Sequence, residues 1–142
     1  MLDACIYKEN GIAALRYPRG GEDEICAAFP ATGNSYDVIK NNGNILIVTY
    51  GRTFSAALKA AEKAGNADVM KLNRILPIDD SAVNFASKYD KVVFAEEGIK
   101  NGGTAIQFMA ELMLKGYKGQ NCNQSYRRIC SSKLNTKRSF KS

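Results

Sequence analysis

Arg16 and Arg19, in the stretch GIAALRYPRGGEDE, are the first residues whose types and spacing suit chemistry. They flank Pro18 behind an apolar run, and the chemistry they suit is the grip of an anion, because a guanidinium offers phosphate two parallel donors. Ile12 to Leu15 read as a strand buried on both faces. Pro18 ends any regular pairing, since it has no amide hydrogen, and Gly20 and Gly21 free the backbone to turn. Arg16 and Arg19 then stand at the carboxyl end of a strand, where open α/β sheets present groups to ligands. The plainer alternative is two solvated arginines at a strand end.

Other candidates are fewer. Glu96 and Glu97 end an apolar run and point to opposite faces, so they do not form a carboxylate pair on one substrate. One of the two is expected to be partly buried and hydrogen-bonded. Gly98, Gly102 and Gly103 lie between a strand and a helix, where backbone amides could cradle an anion. Their spacing makes neither GxGxxG nor a P-loop, so the structural role is the simpler one. The chain has no histidine, which removes Ser-His and Cys-His nucleophile pairs. Cys5, Cys26, Cys122 and Cys130 lack CxxC spacing, so neither a zinc site nor a disulfide framework is expected. No self-sufficient active site emerges, and no catalytic, cofactor-binding or metal-binding residue is assigned within the chain.

Composition narrows the class. With 45% hydrophobic and 24% charged residues over 142, the chain suits one globular domain in a reducing cytoplasm. No apolar run is long enough to span a membrane. The net charge of +6 hints at nucleic-acid binding until it is located. All six surplus charges (Arg127, Arg128, Lys133, Lys137, Arg138 and Lys141) follow residue 120, and the rest of the chain is balanced. Neither a nucleic acid nor a membrane is therefore expected as a partner.

The elements that must position these residues alternate at short spacing. Residues 21–35 read as a linker, and Asn42-Gly43 as a tight turn joining a short strand near Val38 to a strong one from Ile45 to Tyr50. A helix follows, capped by Thr53 or Ser55 and closed by Gly65. Ala67 to Leu72 read as a strand, Asp79 and Asp80 open a helix, Lys91 to Ala95 form a third strong strand, and Thr104 to about Lys115 a last helix. That alternation predicts an α/β fold, a three-layer, mostly parallel sheet with helices on both faces.

The order of four motifs, "AALRYPRG", "ILIVTYG", "RILPIDD" and "VVFAEEGIKNGG", resembles the 1-deoxy-D-xylulose-5-phosphate synthases of the thiamine-diphosphate-dependent, transketolase-like family. The resemblance runs from about Ile12 to Gly119. It implies that residues 1–20 end a pyrimidine-binding domain, that 21–44 are linker and hairpin, and that 45–120 form a transketolase-like C-terminal domain. In that family a thiamine ylide attacks pyruvate, carbon dioxide leaves, and the resulting carbanion adds to glyceraldehyde 3-phosphate. The second arginine of the RYPRG motif lies by the aldehyde's phosphate, which gives that contact to Arg19. Thiamine diphosphate and magnesium belong to the full-length enzyme, a homodimer, and none is expected on this chain alone. The chain is accordingly expected to be inert by itself. The family's Arg-Phe-Val-Lys-Pro-Leu-Asp becomes "NRILPID", with Asn73 in the arginine position, and Gly-Gly-Phe-Gly-Ser becomes Gly102-Gly103-Thr104-Ala105-Ile106. The alternatives are the C-terminal domain of a transketolase or of a 2-oxo acid dehydrogenase β subunit, or a non-catalytic binding module.

Residues 121–142 depart from the resemblance, being polar or basic where the family continues with a last strand and an Asp-Asp/Glu-x-Phe-Val segment. Back-translated and moved on by one nucleotide, Asn123 to Ser132 can read IKAIDEFVRQ, which supplies that segment. A frameshift would make 121–142 an aberrant, disordered basic tail and cost the sheet its last strand. An unpaired edge and marginal stability would follow.

Overall fold

The computed structural model describes residues 2–7, 10–17, 21, 24–30, 32–98 and 102–126. Two short helices, α1 (Leu2–Tyr7) and α2 (Glu24–Ala28), precede a five-stranded sheet. Its strands are β1 (Tyr36–Ile39), β2 (Ile45–Thr49), β3 (Ala67–Leu72), β4 (Lys91–Glu97) and β5 (Gln120–Tyr126). Helices α3 (Thr53–Ala64), α4 (Asp80–Ala86) and α5 (Thr104–Leu114) fill the crossovers. The strand order is β1-β3-β2-β4-β5, with β1 antiparallel to β3 and all other neighbours parallel.

Side-chain alternation along the strands builds the three layers. Ile45, Ile47, Ala67 and Val69 face α3, where Phe54, Ala57, Leu58 and Ala61 complete one core. Leu46, Val48, Met70, Leu72, Val92 and Phe94 face the other way, onto Ala82, Val83 and Ala86 of α4 and Ala105, Phe108 and Leu112 of α5. The expected α/β fold with helices on both faces is the observed one.

Four local expectations are corrected. Ile12 to Leu15 form no strand: residues 12–17 have no regular secondary structure, and Ile12 is fully exposed. An apolar run becomes a buried strand only where neighbouring strands supply partners, and none does so among the described residues. The Asn42-Gly43 turn exists, with Asn42 at φ 55, but β1 pairs with β3 and not with β2. Gly43 is needed for close approach, since a Cβ there would lie 2.0 Å from the Asn66 carbonyl oxygen. Neither Thr53 nor Ser55 caps α3; Arg52 stands at the N-cap without a side-chain bond. Gly65 does close that helix, at φ 72, its N–H donating to the Ala61 carbonyl at 3.0 Å.

The fourth correction concerns the last strand, expected to be lost. β5 pairs with β4 from Lys91↔Gln120 to Glu97↔Tyr126. Its residues are polar, but an edge ladder is made of backbone groups and asks little of the side chains. The expected disorder and basic character of the tail beyond Tyr126 fall on 127–142, outside the described residues.

Candidate functional site

The carboxyl ends of β2 and β4 converge on one buried polar cluster. The hydroxyls of Thr49 and Thr53 lie 2.7 Å apart. That of Thr49 donates to the Ala95 carbonyl at 2.9 Å, and that of Thr53 to the Tyr50 carbonyl at 2.7 Å. Thr49 therefore fastens β2 to β4, while Thr53 closes the β2–α3 turn on Tyr50 and does not serve as a cap. Above these bonds Tyr50 crosses the gap between the strands, and its hydroxyl donates to Glu96 Oε2 at 3.0 Å.

Glu96 is 1% exposed while Glu97 is exposed, as expected from the alternation. The other carboxylate oxygen, Oε1, is buried and has no hydrogen-bond partner among the described residues. It packs on Gly103, the N-cap of α5, where a Cβ would come within 2.2 Å of it. Gly103 has an ordinary φ of −74, so space and not backbone conformation requires glycine. The α5 N-terminus has no side-chain cap, and the Glu96 carboxylate sits at that positive end instead. Burial pushes the Tyr50 hydroxyl above its ordinary value, with the Glu96 charge and hydrogen bond adding to the rise; Thr104 and Arg16 act in the opposite direction. Arg16 reaches this cluster from outside the sheet, its guanidinium 5.8 Å from the centroid of the Tyr50 ring.

This arrangement holds a carboxylate at the hydroxyl of one phenol and a cation over its ring. It does not suit thiamine diphosphate with magnesium. Gly103, one of the glycines that could have received a diphosphate, already faces the Glu96 carboxylate, and like charges repel. Among the described residues no group of three His, Cys, Asp or Glu could hold a metal ion. Arg19, the expected phosphate contact, lies outside the described residues, as do Pro18 and Gly20. The Cys26 sulfur lies 3.2 Å from the Ser55 hydroxyl oxygen. Asn73, in the family's arginine position, donates to Asp37 Oδ2 at 2.7 Å and to the Asn34 carbonyl at 3.1 Å, tying β3 to the start of β1. Sequence reasoning missed Tyr50. The available signal was an aromatic with a polar tip at a strand's carboxyl end, just before Gly51.

The opposite end of the sheet carries open clefts of about 470 and 390 Å³, lined by Asn44, Asp90, Lys118 and Gln120 and by Lys40, Lys88 and Tyr89. They lie at the amino ends of the strands, whereas ligands of open α/β sheets bind at the carboxyl ends. The chemistry-bearing residues are at the carboxyl ends.

The transketolase C-terminal domain family matches residues 35–136, which includes β5. The chain is 30% identical over 123 residues to the 1-deoxy-D-xylulose-5-phosphate synthase of Rhodococcus erythropolis, covering 81% of this chain and 19% of that protein. It is 35% identical over 101 residues to the synthase of Pasteurella multocida, covering 68% and 16%. Among solved structures it is similar to a split gene transketolase, an inactive β4 tetramer, with TM-score 0.59 and 24% identity over 70% of this chain and 34% of that one. That likeness is one of fold. The chain thus spans a fifth or less of the curated relatives it matches. It belongs to the transketolase C-terminal domain family.

Proposed function

We propose that the chain is the C-terminal part of a thiamine-diphosphate-dependent synthase that condenses pyruvate with glyceraldehyde 3-phosphate, inactive by itself and cytoplasmic. The observation that carries the proposal is the similarity to synthases of this one activity over 81% of the chain in the Rhodococcus case. Arg19 is the residue that would act on substrate. A guanidinium bound to the phosphate dianion of the aldehyde would hold the carbonyl carbon where a carbanion can reach it, so its contribution is position and charge. The cofactor and its metal would be held by the parts of such an enzyme beyond this chain, and the domain would contribute to a homodimer.

The test is a chimera in which the corresponding C-terminal part of the Rhodococcus erythropolis synthase is replaced by this chain. The proposal expects pyruvate-dependent consumption of glyceraldehyde 3-phosphate, well above the same synthase truncated before this domain. A chimera that melts as a folded protein but is no more active than the truncated form would overturn it.

A further inference from the structure

Residues 12–17 carry no regular secondary structure and lie outside the sheet, with Ile12 fully exposed, Tyr17 82% exposed and Leu15 half-buried. They are not held by strand pairing, yet Arg16 lies over Tyr50 at 5.8 Å. We infer that Arg16 is a positioning residue: it fastens the arginine-bearing segment to the carboxyl ends of the strands through the face of Tyr50 and the Glu96 carboxylate behind it.

Three features make Tyr50 a suitable seat. A guanidinium within about 6 Å of a ring centroid is attracted by the negative face of the ring. The Tyr50 hydroxyl donates to a carboxylate oxygen, which pushes electron density into the ring and strengthens that attraction. Among the described residues one Glu96 oxygen has a single phenolic donor and the other has none, so besides the α5 N-terminus its charge has room for a further positive neighbour. A buried carboxylate in that state favours a nearby cation, and Arg16 is the cation whose field acts on Tyr50. The packing of Glu96 on Gly103 keeps the carboxylate from turning away. The consequence for substrate rests on the synthase proposal: a segment fixed at Arg16 carries Arg19 three residues further on. The fastening itself does not depend on that proposal.

Timed trypsin digestion of the 142-residue chain, read by mass spectrometry, tests it. Trypsin must take the Arg16 side chain into its own pocket to cut the Arg16–Tyr17 bond, so stacking on Tyr50 slows that cut. Cutting after Lys59, inside α3, reports opening of the whole domain. The ratio of the first rate to the second is expected to rise about threefold to fivefold in Tyr50→Leu and in Glu96→Gln. Arg16→Lys, cut at the same bond, is expected to fall between, since an ammonium stacks less well than a planar guanidinium. An unchanged ratio in Tyr50→Leu and Glu96→Gln would overturn the inference. No substrate is present, so either result leaves the synthase proposal to its own test.

Discussion

The two ends of the sheet each bury a carboxylate, and they treat it differently. At the amino end Asp68 of β3, 3% exposed, accepts from the Asn41 N–H at 2.8 Å, the Gly43 N–H at 3.0 Å and the Tyr89 hydroxyl at 2.7 Å. Burial pushes its carboxyl up, but the donors from Gly43, Tyr89 and Asn41, with the charge of Lys40, outweigh that and leave it below its ordinary value. At the carboxyl end Glu96 of β4 has, among the described residues, one phenolic donor and one oxygen without a partner. A saturated buried carboxylate fixes a turn. One with spare acceptor capacity, beside a helix N-terminus and a stacked arginine, retains a field that other groups can use. The difference separates an end built to hold a turn from the end where the synthase proposal puts function.

The sharpest way to break the comparison is at the turn that Asp68 holds. Gly43→Ala places a methyl against the Asn66 backbone, which cannot move without disturbing β3, so a loss of about 3 kcal/mol is expected in chemical denaturation. A loss below about 1 kcal/mol would mean that the turn is looser than described. Next in size is a matched pair. Asp68→Asn leaves three donors facing an amide with one acceptor oxygen, and is expected to cost about 2 kcal/mol. Glu96→Gln keeps the Tyr50 acceptor and removes a buried charge with a single donor among the described residues, and is expected to change stability by less than about 1 kcal/mol. Equal losses in the two variants would erase the distinction between the ends.

The smallest effect concerns pH. Hydrogen bonds from the Ser35 hydroxyl and from the Ser81 hydroxyl and N–H hold Asp79, the N-cap of α4, at about 2. A folded value below the unfolded one gives stability that is complete above about pH 4, the ordinary carboxylate value, and is lost as pH falls towards 2. Melting temperatures measured from pH 5 to 2.5 should therefore fall more steeply for the parent chain than for Asp79→Asn. Parallel profiles would contradict the cap's contribution.

Much of this organisation is legible in the sequence, for identifiable reasons. β2, β3 and β4 are apolar runs bounded by turn residues, and alternation puts Glu96 and Glu97 on opposite faces, though not which of them is buried. The C-terminal cap at Gly65 and the span of α5 follow from local chemistry as well. What is not legible depends on partners distant in sequence. The Asn42-Gly43 pair reads as a hairpin, but the close approach of Asn66 decides its role and β1 goes to β3. β5 carries no apolar periodicity, because its ladder uses only backbone groups. Ile12 to Leu15 have the composition of a buried strand without neighbours to bury them. Tyr50 acquires its importance only when β2 and β4 lie side by side and bring Glu96 under its hydroxyl.

The most direct test of the central claim, that the arginine segment at the carboxyl end serves a phosphorylated aldehyde, is the Michaelis constant of the folded chimera after Arg19→Ala. Loss of a bidentate guanidinium–phosphate contact is expected to raise KM for glyceraldehyde 3-phosphate about 100-fold while leaving KM for pyruvate unchanged. Equal KM values for the aldehyde in the parent and Arg19→Ala chimeras, or a rise shared by both substrates, would contradict it.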